Sequence, residues 1–196
     1  MLHILFVCTG NTCRSPLAEG MLRTMLQKEQ IDAEVRSAGV SAISGNPISR
    51  NSSTILKESG FQGELSSSSL THKEVEWADL ILTMTVSHKR TVIQRFPQAI
   101  EKSFTLKEHV EDDPVVISAI AEREQLAADL QLKQALSQKV SAEERNRLYV
   151  LEELIPDYDI SDPFGGPMDT YRLTAAEIEH SLRKLLIKLK NQTNSR

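Results

Sequence analysis

The chain has 196 residues and a formal net charge of −4, with an ordinary share of apolar side chains, so one domain spanning 1–196 can bury a sizeable core. Aromatic residues are scarce and no basic–aromatic stripe occurs, which argues against a nucleic-acid partner. No apolar run is long enough to cross a bilayer, and two cysteines without an export signal point to a reduced, cytoplasmic setting.

In chain order, Leu2 to Cys8 is a near-continuous apolar run, as expected of a strand buried on both faces of a parallel sheet. Ser15-Pro16 reads as a helix start, with Ser15 as N-cap, and Leu17, Met21, Leu22, Met25 and Leu26 then recur at helical spacing. Residues 33–38 read as a second strand ended by Gly39, and residues 47–59 as a helix that stops at Gly60. Residues 79–84 form a third strand and residues 102–106 a fourth, with a helix over 87–96 between them, closed by Pro97. The short serine run 66–69 reads as loop. The tail, 169–190, is helical, with Ile178, Leu182, Leu185, Leu186 and Leu189 on one stripe. Strands alternating with helices predict an α/β fold, a doubly wound four-stranded parallel sheet with helices on both faces.

Residues 111–161 differ from the rest. They are glycine-free and carry twelve Asp or Glu against five Lys or Arg, leaving the remainder mildly basic, which suits an anionic substrate. They read as a helical insertion at about 111–155, of one or two helices, with Ser141-Ala-Glu-Glu as a capping box opening the second.

The chemistry concentrates in one loop after the first strand, Cys8-Thr9-Gly10-Asn11-Thr12-Cys13-Arg14-Ser15-Pro16. In α/β sheets ligands bind beyond the carboxyl ends of the strands, where this loop lies. Cys8 there faces a helix N-terminus, whose unpaired N–H groups and dipole favour an anion. Such surroundings favour a nucleophilic thiolate. Gly10 is expected to let the loop curl so that successive N–H groups converge on a phosphate. Arg14 supplies a planar fork for two of its oxygens. The Ser15 hydroxyl is placed to donate to the Cys8 sulfur, and Asn11 to brace the loop. A thiolate attacking phosphorus also needs an acid for the leaving atom. Asp162, in Asp162-Pro163-Phe164-Gly165-Gly166 just before the last helix, is the candidate; Asp112, Asp113, Asp157 and Asp159 compete on spacing alone.

Cys8 to Pro16 together with Asp162 to Gly166 resembles the low-molecular-weight protein tyrosine phosphatase family, as do Arg36-Ser37-Ala38-Gly39 and 78–82. The resemblance implies a four-stranded parallel sheet, Cys8 as nucleophile, Arg14 as phosphate clamp and Asp162 as general acid and base. It implies no metal and no organic cofactor, and phosphorylated proteins as substrates. Many relatives brace the loop with a histidine before the third strand; here that region holds Leu65 and serines, and His72 falls out of register. All five histidines read as packing or surface residues.

Thr12 bears on the substrate. Tyrosine-directed members commonly have an aliphatic residue at this place, and the Thr version, like Asp162-Pro163-Phe164-Gly165-Gly166, is similar to the protein-arginine-phosphatase branch. That likeness implies phosphoarginine, with Thr9, Gly10, Asn11, Thr12, Cys13 and Ser15 forming the substrate cradle and Phe164 walling the slot. The alternatives are phosphotyrosine, or a binding module using the acidic helices, which also offer a surface for self-association or partner contact. Two cysteines are too few for the downstream relay of the family's arsenate reductases. Cys13 is either a reversible oxidation partner for Cys8 or a small buried residue under the loop.

Overall fold

The computed structural model describes residues 1–193. Four parallel strands, β1 (Leu2–Cys8), β2 (Ala33–Gly39), β3 (Leu80–Thr83) and β4 (Ser103–Thr105), form one sheet in the order β2-β1-β3-β4. β1 is central, pairing Cys8 with Gly39 on one side and Val7 with Thr83 on the other.

Because successive side chains on a strand point to opposite faces, β1 feeds two cores. Ile4, Phe6 and Cys8 pack with α1 (Arg14–Glu29), α2 (Arg50–Glu58) and α8 (Met168–Thr193). Leu5 and Val7 pack with Val75 of α3 (His72–Trp77), Val92 of α4 (Val86–Arg95), and Phe96 and Ala99 beside it. The apolar stripe on α8 is the expected one: Ile178, Leu182, Leu185 and Leu189 are buried, each stabilising the fold by about 1.5–3 kcal/mol. Leu186 is only partly buried against that core.

Two short helices have no periodicity by which to be foreseen. They are α3 and α5 (Leu106–His109), and capping boxes, Thr71 with Glu74 and Thr105 with Glu108, hold both. α2 begins three residues later than expected, because Ser49 accepts the Ser52 N–H and caps it there. Ser15 is not a cap. α1 starts at Arg14 with Cys13 as N-cap and no side-chain cap bond, and the Ser15 hydroxyl is turned to other partners.

The chain divides into two compact units, residues 1–110 with 158–196, and residues 111–157. In the second, α6 (Pro114–Ala135) and α7 (Ala142–Leu154) form a helical hairpin. Asp113 caps α6 and the Ser141–Glu144 capping box opens α7 as predicted. Arg147–Glu122 and Lys133–Glu144 ion pairs tie the helices together. Ala119, Leu130 and Leu151 are buried, whereas Val115, Leu132, Leu136 and Tyr149 are exposed. Among the described residues no helix is long and apolar enough to cross a membrane.

Candidate active site

Strand β1 delivers Cys8 to the carboxyl edge of the sheet, and the chain curls from there into α1. The left-handed residue that makes the curl is Asn11 (φ 53°), not Gly10; asparagine tolerates this conformation better than other non-glycine residues. A Cβ on Gly10 would meet only Thr12 Oγ1, at 3.7 Å. Gly39 is the glycine that the packing requires. A Cβ there would lie 2.5 Å from the Thr9 carbonyl oxygen and 2.9 Å from the Asn11 nitrogen, so a side chain at the end of β2 would push the loop out of shape.

Cys8 and Arg14 are both buried. The Cys8 sulfur lies 2.9 Å from Ser15 Oγ and receives the Asn11 N–H at 3.3 Å. The Asn11 side chain donates to Ser15 Oγ (2.9 Å) and Ser37 Oγ (2.8 Å), and accepts the Ser68 N–H (2.6 Å). Ser37 in turn donates to Glu19, which pairs with Arg23. Burial pushes the Glu19 carboxyl up despite the Arg23 charge. This chain of bonds braces the loop from the β2 side. Ser37, Ser68 and Glu19 were missed as site residues in the sequence, although a serine run beside a phosphate loop is the signal that was available. His72 takes no part; its ring stands edge-on to Phe96.

Thr12 is partly buried, with Oγ1 3.5 Å from Cys13 Sγ, and its carbonyl accepts the Ser49 N–H. Cys13 is a buried free thiol 3.2 Å from the Tyr171 hydroxyl. Burial and the Cys13 bond push the Tyr171 phenol up.

The structure brings Asp162 to the loop across a long sequence separation. Its Oδ2 accepts from Arg14 at 2.7 Å, while Arg14 also donates to the Ile160 carbonyl. Of its rivals in the sequence, Asp113 caps α6, and Asp159 accepts the Val86 N–H at 2.7 Å. Asp162 is held on a clamped segment. The Ile160 N–H bonds the Met84 carbonyl, and Lys107 donates to the Asp159 carbonyl. Lys107 also pairs with Glu177, which accepts both the N–H and the hydroxyl of Ser161. Burial opposes it, but these bonds hold the Glu177 carboxyl below the usual range. Beyond Asp162, Oδ1 accepts the Phe164 N–H and Gly165 turns at φ 76°. Phe164 is 79% exposed, so its ring stands free beside the acid.

His88 is a further residue at the site. It is buried, with Nε2 2.8 Å from Thr9 Oγ1 and Nδ1 2.8 Å from Thr85 Oγ1. Burial and the Arg14 charge push it down to about 4. Among the described residues no group of three or more His, Cys, Asp or Glu is arranged for a metal ion.

A buried thiol over a helix N-terminus, with a guanidinium and a carboxylate beside it, can bind a tetrahedral anion, attack it and exchange a proton. Comparison with known proteins agrees with this geometry. Residues 3–119 match the low molecular weight phosphotyrosine protein phosphatase family; Asp162 lies beyond that stretch. The chain is 34% identical over 190 residues to the protein-arginine-phosphatase of Geobacillus stearothermophilus, covering 97% of both. It is 29% identical over 185 residues to the low molecular weight protein-tyrosine-phosphatase PtpB of Staphylococcus haemolyticus, covering 94% of this chain and 97% of the relative. The solved YwlE arginine phosphatase from Geobacillus stearothermophilus superposes with a TM-score of 0.73 at 33% identity, covering 100% of this chain and 97% of that one. The chain belongs to the low molecular weight phosphotyrosine protein phosphatase family.

Proposed function

We propose that this protein is a cysteine-dependent phosphatase that hydrolyses phosphoarginine in proteins. The observation that carries the reading is the Cys8-to-Ser15 cradle with Thr12 in it and Asp162 at its mouth, 2.7 Å from a guanidinium. Here the guanidinium belongs to Arg14; a substrate guanidino group presents the same planar array of N–H donors to the same carboxylate. The protein-arginine-phosphatases among the relatives support the assignment. A cysteine-to-serine variant of one, solved with its active-site serine phosphorylated at 32% identity, supports a phosphorylated intermediate.

In the first step the Cys8 thiolate attacks phosphorus. The S–P bond forms as the P–N bond breaks, and protonated Asp162 gives its proton to the departing guanidino nitrogen. Arg14 and the loop N–H groups hold the phosphoryl oxygens throughout, and the Ser15 hydroxyl stabilises the sulfur as thiolate. In the second step Asp162 takes a proton from water as its oxygen attacks phosphorus, the S–P bond breaks, and phosphate leaves. Thr12 adds a hydroxyl and removes bulk near the attacked phosphorus, which suits a polar leaving group and the water that follows it. Thr9, Gly10, Asn11 and Cys13 complete the cradle, and Phe164 walls the slot for the substrate side chain.

The second reading, phosphotyrosine hydrolysis, is favoured by the tyrosine-phosphatase relatives. Steady-state rates on phosphoarginine and phosphotyrosine peptides separate the two: faster turnover of phosphotyrosine would overturn the first.

The reading includes a cytoplasmic location and one phosphatase domain over 1–196, with residues 111–157 as an insertion available for self-association or partner contact. Removing residues 115–155 and finding unchanged kinetics and unchanged mass in solution would discard that contact role.

A further inference from the structure

Thr9 follows the nucleophile directly, and its hydroxyl is tied to a histidine that the proposed chemistry does not use. His88 Nε2 lies 2.8 Å from Thr9 Oγ1, and Nδ1 lies 2.8 Å from Thr85 Oγ1. Thr85 caps α4 and already accepts the His88 N–H at 3.1 Å. His88 is 7% exposed. The charged groups that act on it are Arg14 from α1 and Asp159 and Asp162 from the acid segment. We infer that His88 is a positioning residue of the phosphate cradle, whose ring fastens Thr9 to the N-terminus of α4.

The inference rests on the phosphatase reading. A neutral ring has one nitrogen that donates and one that accepts, and each threonine hydroxyl, with one hydrogen and two lone pairs, suits either role, so the ring bridges Thr9 and Thr85 in one of its two tautomers. Thr9 itself is exposed. A protonated ring turns both nitrogens into donors and sets a positive charge beside Arg14. Burial and Arg14 together favour the neutral ring.

Such a tie matters for the reaction more than for ground-state binding. The N–H groups around the phosphoryl oxygens stabilise a developing charge only if they are already aimed. Asn11 fastens the loop from the β2 side through Ser37 and Ser68; His88 fastens it from the α4 side, so the cradle is held at both flanks.

The experiment uses the full-length chain with Thr9→Val, His88→Leu and both together. Turnover is measured on p-nitrophenyl phosphate and on a phosphoarginine peptide, with Tm recorded for each protein. Losing one positioning hydrogen bond predicts that each single variant lowers kcat roughly tenfold with KM within about twofold. The double variant should lose no more than the worse single, because both changes cut the same bond. Additive losses would overturn the inference, as would a lowered Tm in His88→Leu without loss of kcat. Thr9 is exposed, so Thr9→Val tests the tie even if His88→Leu folds poorly; unchanged kcat in Thr9→Val also overturns it. If the wild type hydrolyses p-nitrophenyl phosphate but not phosphoarginine, the substrate assignment falls while the coupling still decides the role of His88. If neither is hydrolysed, the phosphatase reading fails and this inference with it.

Discussion

Substituting Asp162 by Asn should separate binding from catalysis. Without substrate, Asp162 occupies the clamp, 2.7 Å from Arg14 Nη2; the arginine side chain is 6% exposed and the aspartate 52%. A half-exposed pair of this kind is worth up to about 1 kcal/mol, and an incoming phosphate must displace it. A carboxylate also repels the phosphate; unit charges about 5 Å apart interact by roughly 0.8 kcal/mol even at the dielectric of water. Removing the charge relieves both effects, together about 1–2 kcal/mol, so Asp162→Asn should bind inorganic phosphate roughly 5–30-fold more tightly. The same change removes the group that protonates the leaving nitrogen and deprotonates water, so kcat should fall by about 10²–10⁴. Calorimetric titration with phosphate and steady-state turnover measure the two effects on one preparation. Weaker phosphate binding by the variant, or kcat within threefold of wild type, would refute the reasoning.

The clamp on the acid segment predicts that Lys107→Met, which releases Glu177 and the Asp159 carbonyl, lowers kcat roughly 3–10-fold and leaves phosphate affinity unchanged; a parallel loss of phosphate binding would place Lys107 at the cradle instead. Stability should fall in mild acid. His88 and His109 are both pushed down to about 4, mainly by burial, so the folded chain binds fewer protons than the unfolded one below their ordinary value of 6.5. That stability is fully present above about pH 6.5 and drains as the pH falls toward 4, with His88 contributing at most about 3 kcal/mol. Urea unfolding at pH 7 and pH 5 measures this, and His88→Leu should reduce the difference between them.

The sheet was legible because its signals are local. Leu2 to Cys8 is apolar on both faces, Gly39 ends β2, and the α8 stripe repeats every three or four residues. The short helices α3 and α5 were not, because six and four residues held by capping boxes leave no periodicity to read. The nucleophile, the clamp and the loop bracing by Asn11 and Ser15 stand within nine residues, and their types announce phosphate chemistry. Asp162 needed the family likeness, since an Asp-Pro turn looks the same in any loop; only the fold sets it against Arg14. Ser37, Glu19, Lys107, Glu177 and His88 were invisible as site residues because each acts across a distance in sequence through one or two hydrogen bonds; Ser68 was signalled only by its serine run. Gly10 shows the opposite error: glycine suggests the left-handed curl, but Asn11 adopts it, with its side chain bonded on three sides.

The most direct test of the substrate assignment is kcat/KM on matched phosphoarginine and phosphotyrosine peptides, for the wild type and Thr12→Ile. Wild type should prefer phosphoarginine, and the added bulk and lost hydroxyl of isoleucine should move the ratio toward phosphotyrosine by about tenfold or more. A wild-type preference for phosphotyrosine, left unchanged by Thr12→Ile, would contradict the assignment.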